Sequence, residues 1–116
     1  MKVSNFLIIT IFFSFSINAA FTEPEMSQLN DINEKYIKEA EIAKKKLNAS
    51  IKESISNLPK ERSNILRLHK LLEEATKEKC RLMILESLNT DAEIASKYEC
   101  LANEYNSESK FFRSIY

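Results

Sequence analysis

Apolar residues recur in steps of three and four at Leu29, Ile32, Tyr36, Ala40, Ala43, Leu47, Ile51, Ile55 and Leu58, the spacing that keeps one stripe on one face of an α-helix. The pattern predicts a short extended lead-in over residues 21–26, then a first helix that starts near Ser27 or Asn30 and runs for about thirty residues, roughly 45 Å. The opposite face is charged, with Glu34 and Lys38, and Glu41 and Lys45, at the spacing of i,i+4 ion pairs. Lys44, Lys45 and Lys46 read as part of that solvated face. The alanines in the middle of the stripe would let a partner helix approach closely.

Pro59 ends this helix or opens the next, because it disfavours helical geometry at Leu58 and suits a first helical position. A kinked continuous rod is the alternative. The second helix carries Ile65, Leu68, Leu72, Thr76, Cys80 and Met83 on one face, widened by Leu71 and Ala75, and Leu72 and Met83 are expected to be buried between helices. Residues 82–88 are apolar on most sides and are expected to be the most buried part of the chain. Asn89, Thr90 and Asp91 then break the pattern, and Thr90 followed by Glu93 has capping-box spacing.

The third helix carries Ile94, Tyr98, Leu101, Ala102 and Tyr105 on one face with Cys100 beside it. Helix propensity weakens at Asn103, Asn106, Ser107 and Ser109. Phe111, Phe112, Ile115 and Tyr116 close the chain and read as an aromatic strap over the core, with an exposed partner-binding patch as the alternative. The expected fold is all-α, a three-helix irregular bundle with a long first helix and a disulfide-stapled helical hairpin.

The staple follows from symmetry about the turn. Ten residues separate Cys80 from Thr90 and ten separate Thr90 from Cys100, so in an antiparallel helix pair both thiols sit about 15 Å from the bend and level with each other. Helices packed at about 8–10 Å with inward Cβ atoms can bring two Cα atoms to the roughly 5.5 Å that a disulfide needs. An intermolecular bond, giving a covalent dimer, is the competing arrangement.

Residues 1–20 read as a secretory signal: Lys2 supplies the charge, residues 6–17 an apolar run, and Ala19 and Ala20 a small-residue cleavage site. The run falls short of the ~20 apolar residues of a comfortable membrane span. Residues 21–116 then form one small helical domain, periplasmic or secreted, where an oxidising compartment favours a structural disulfide. No stable membrane anchor is expected. The chain has 17 basic and 17 acidic side chains, so no bulk field points to nucleic acid or anionic lipid as a partner.

The chain has no glycine, which disfavours phosphate-cradling loops and nucleophile elbows. His69 is the single histidine. A zinc centre would need that residue, both cysteines and carboxylates at unrelated spacings, so neither a metal nor another cofactor is expected. His69 and Cys80 lie about 16 Å apart along one helix, too far for a Cys-His nucleophile pair, and His69 reads as a surface or boundary residue. Glu73, Glu74 and Glu78 alternate with Lys70, Lys77 and Lys79 and read as an ion-paired helix surface rather than an acid-base pair. No catalytic residue is assigned, and the expected class is a non-enzymatic binding protein.

The long first helix, the Leu- and Ala-rich second helix leading into Cys80, and Cys100 twenty residues later resemble the LprI-type lysozyme inhibitor family over residues 29–112. In that family an aromatic and an Arg-Asp pair precede the first cysteine, where this chain has Leu72, Thr76 and Lys77. A Thr and an Arg follow the second, where this chain has Tyr105 and Glu108. The two cysteines carry over. The resemblance implies a small exported helical domain that binds a lysozyme-type muramidase or other cell-wall hydrolase and occludes its cleft. The alternatives are an immunity protein against a secreted cell-wall amidase and a structural coiled-coil component of the envelope.

Overall fold

The computed structural model describes residues 23–116; the signal segment expected over residues 1–20 lies outside them. Three helices form, α1 (Glu23–Asn57), α2 (Arg62–Met83) and α3 (Glu93–Ser114), with 3₁₀ turns at Pro59–Glu61 and Leu85–Ser87 between them. No strand occurs among the described residues. α1 is helical from Glu23, so the described part of the expected extended lead-in is its first turn. Glu23 and Glu25 explain why: acidic side chains complement the positive end of the helix dipole, and Pro24 suits a first turn.

Pro59 separates α1 from α2 rather than kinking a rod. Leu58 leaves helical geometry at φ −126° and ψ 63°, as expected of a residue before proline. α2 therefore turns back along α1.

Helix direction follows from the contacts. Ser50 meets Ser109 and Ser54 meets Phe112, pairs separated by 59 and 58 positions, so α1 and α3 run parallel. Separations between α2 and α3 fall from 39 for His69 and Glu108 to 25 for Lys79 and Glu104 and 20 for the cysteines, so this pair is antiparallel.

The core has two parts along the α1–α3 seam. Leu47, Ile51, Ile65 and Phe112 are buried together, with Ile55, Leu58, Leu68, Leu72, Tyr105 and Ile115 packed around them. Ala40, Ala43 and Ala102 form the second, flanked by Tyr98, Leu101 and Tyr105. The alanine stripe does what its small side chains allow, and α3 is the helix that lies on it. Ser50, Ser54 and Ser109 continue the seam and are buried. Ser54 Oγ lies 2.9 Å from the Ser50 carbonyl and 2.8 Å from the Phe112 carbonyl, so one hydroxyl hydrogen serves its own helix and one of the last carbonyls of α3, which lack intrahelical partners.

The C-terminal segment stays helical. The asparagines and serines of α3 do not end it, because its inner face stays packed on α1 and tertiary contact overrides weak propensity. The aromatic terminus is helical up to Ser114 and covers the core in part: Phe112 is fully buried and Ile115 packs against its cluster, whereas Phe111, its ring edge-on to Phe112, and Tyr116 are exposed.

A further correction concerns the hairpin. Residues 82–88 are not the most buried part of the chain, since only Ile84 is buried between residues 81 and 99. Met83, expected between helices, is 76 % exposed, and Leu82, Leu85 and Leu88 are exposed too. The apolar pattern continues past Cys80, but no helix is packed over it. Met83→Ala is therefore expected to change stability by less than about 0.5 kcal/mol, measured by urea denaturation.

Candidate functional site

The cysteines do pair. Cys80 and Cys100 are joined with Cα atoms 5.6 Å apart, and both are buried. The bond ties α2 to α3 at the base of the hairpin end, residues 81–99. A chain without glycine has to make this turn with other residues, and Asn89 takes the left-handed conformation at φ 61°, which asparagine tolerates better than most side chains.

The expected capping box is displaced. Thr90 Oγ1 donates to the Ser87 carbonyl at 2.6 Å and accepts the Ala92 N–H at 3.2 Å. The Glu93 carboxylate accepts the Asn89 N–H rather than that of Thr90, at 3.2 Å. The same two side chains thus fasten the turn one residue out of register. A hydroxyl contact of 3.3 Å between Ser87 and Ser96 ties the Leu85–Ser87 turn to α3.

This fastened end carries an exposed apolar surface. Leu82, Met83, Leu85, Leu88 and Ile94 are all exposed, interspersed with exposed Glu86 and Asp91. They come from the end of α2, the turn and the start of α3, and exposed large apolar side chains concentrated in one stretch of chain are candidates for an interaction surface. A disulfide below and hydrogen bonds across the turn reduce the conformational entropy lost on docking.

A second feature lies farther along α2 and α3. His69 Nδ1 sits 2.6 Å from Glu108 Oε1, with the His69 side chain 26 % exposed and that of Glu108 4 %. His69 is the boundary residue the sequence suggested, but Glu108 was read only as a departure from a family pattern. The missed signal is register: Tyr98, Leu101, Tyr105, Glu108 and Phe112 step by three and four, which places a carboxylate on the buried stripe. Glu108 Oε2 is buried and has no hydrogen-bond partner.

Burial raises the Glu108 carboxyl above its ordinary pKa, the hydrogen bond and charge of His69 pull it back, and Glu73 and Glu104 push it up again. The net shift is upward. Tyr105 is also raised, by burial first and then by Glu73 and Glu108. The folded chain thus holds the Glu108 proton more tightly than the unfolded chain. This favours folding below the ordinary carboxylate value of about 4.3, and the contribution is lost as pH rises through the raised folded value. Urea denaturation of wild type and Glu108→Gln across pH should show their stability difference moving against wild type from about pH 4 upward, then levelling. A difference that moves toward wild type would mean the His69 contact outweighs burial.

On the charged face of α2, Arg81 closes on Glu78 at 2.9 Å, and Lys79 crosses instead to Glu104 on α3 at 2.8 Å. Among the described residues no cluster of three or more His, Cys, Asp or Glu is placed to hold a metal ion, and no helix is long and apolar enough to cross a membrane. No protein-family model, curated protein or solved structure matches the chain.

Proposed function

We propose that the protein is an exported, non-enzymatic binding protein that inhibits a cell-wall hydrolase, most concretely a lysozyme-type muramidase, by inserting its hairpin end into the substrate cleft. The observation that carries this reading is the exposed apolar surface of Leu82, Met83, Leu85 and Leu88 on a turn closed by the Cys80–Cys100 bond. These apolar side chains supply the desolvated centre of an interface, and Glu86 and Asp91 supply acceptors for the donors of a cleft built to bind sugar hydroxyls. The disulfide fits an oxidising compartment such as the periplasm.

The immunity reading uses the same surface against an amidase and differs only in target. The coiled-coil reading has less to work with, because the stripe of α1 over Ala40, Ala43, Leu47 and Ile51 is buried within the chain, largely against α3.

Titrating the oxidised protein into a panel of muramidases and amidases, at low and high salt and with peptidoglycan alone as control, tests the proposal. Suppression of one hydrolase near one-to-one stoichiometry is expected, with moderate salt dependence because the sequence charge is balanced. Glycan or peptide release by the protein alone would overturn it.

A further inference from the structure

The groove between α2 and α3 is lined in part by Glu108, one of whose carboxylate oxygens is buried without a hydrogen-bond partner. It measures about 270 Å³ and is lined by Leu68, Leu72, Thr76, Glu104, Ser107, Glu108 and Phe111. Its wall is mainly apolar, with hydroxyls at Thr76 and Ser107. His69 occupies Glu108 Oε1 at 2.6 Å, whereas Oε2 is buried without a partner. An unsatisfied buried carboxylate oxygen is costly, because it has lost water and gained no donor.

We propose that this groove is a subsite for one arginine side chain of a protein partner, whose guanidinium donates to Glu108 Oε2 while its methylenes lie along Leu68 and Leu72. Size argues for a single side chain, since pockets for whole small molecules run from roughly 300 to 1,000 Å³. Charge argues for a cation. Glu73 adds negative potential, while Glu104 is paired with Lys79 and Glu108 with His69 through Oε1 alone. Arginine fits better than lysine on two grounds. Its guanidinium is more weakly hydrated and so enters an apolar groove at lower cost, and it stacks on aromatic faces such as that of Phe111, which is exposed at the groove. Its remaining N–H groups suit the hydroxyls of Thr76 and Ser107. With Oε1 held by His69, the contact is a single charge-assisted hydrogen bond rather than a two-pronged one.

The subsite does not depend on the target being a muramidase, and a free probe reports on the groove without the hairpin end. The test titrates Nα-acetyl-arginine methylamide into the ¹⁵N-labelled oxidised protein near neutral pH, following backbone amide shifts, with the neutral citrulline analogue as control. Saturable shifts around residues 68–76 and 104–111 are expected. The citrulline compound should bind about tenfold or more weakly, and Glu108→Gln should reduce arginine binding by a similar factor. Should Glu108→Gln fail to fold, Phe111→Ala, at an exposed position, takes its place and is expected to weaken arginine binding several-fold. No saturable shift in the groove, equal binding of arginine and citrulline analogues, or arginine binding unchanged in the folded variant would each overturn the proposal.

Discussion

Replacing Phe112 with alanine is expected to destabilise the protein by about 3–5 kcal/mol, the loss typical of a fully enclosed aromatic side chain. Phe112 has no exposed surface and packs with Leu47, Ile51 and Ile65, one residue from each of several turns of α1 and α2. It joins all three helices, so its removal opens a cavity where they meet. For a domain of this size the change corresponds to a melting temperature lower by at least about 12 °C. Its neighbour provides the control: Phe111 faces the solvent side of the same helix, and Phe111→Ala should cost about 1 kcal/mol or less. Equal losses at the two positions would show that α3 is rotated from the face described.

Reducing the Cys80–Cys100 bond is expected to lower stability by about 3 kcal/mol, from the chain entropy of a loop closed over 20 positions. That is a large part of the few kcal/mol available to a small domain. The loss should appear in urea denaturation with and without reductant, and the oxidised protein should run as a monomer on a non-reducing gel with no free thiol. A melting curve indifferent to reductant would mean that α2 and α3 are held by packing alone.

The stripe of α1 was legible because Ala40, Ala43, Leu47 and Ile51 are apolar, recur at helical spacing and are buried where expected. Ser50, Ser54 and Ser109 were not. A hydroxyl counts as polar in a hydrophobic pattern, yet Ser50 and Ser54 reach the carbonyls of Lys46 and Ser50, four residues back, and then behave as small groups that allow close helix approach. The hairpin was legible through its cysteines, whose equal distances from Thr90 match the bond observed.

Periodicity misled at Met83 for a physical reason. An apolar stripe states which face would be buried if a partner were present, and between Cys80 and Cys100 only Ile84 is buried. The same misreading exposed the candidate site, since the leucines expected inside are the ones available for binding. Glu108 was hidden by the opposite habit, that a charged residue is taken as surface, although its place between Tyr105 and Phe112 put it on the inner face.

The central claim, that the hairpin end docks on a hydrolase, is tested most directly by a paired substitution there. Met83→Glu with Leu85→Glu changes two exposed side chains and should leave the melting temperature within about 4 °C of wild type. It should raise the concentration needed for half-inhibition of the hydrolase found in the panel by at least about 100-fold, as expected for losing apolar anchors from an interface centre. Full inhibition by the folded double variant, or a panel in which wild type inhibits nothing, would contradict the account.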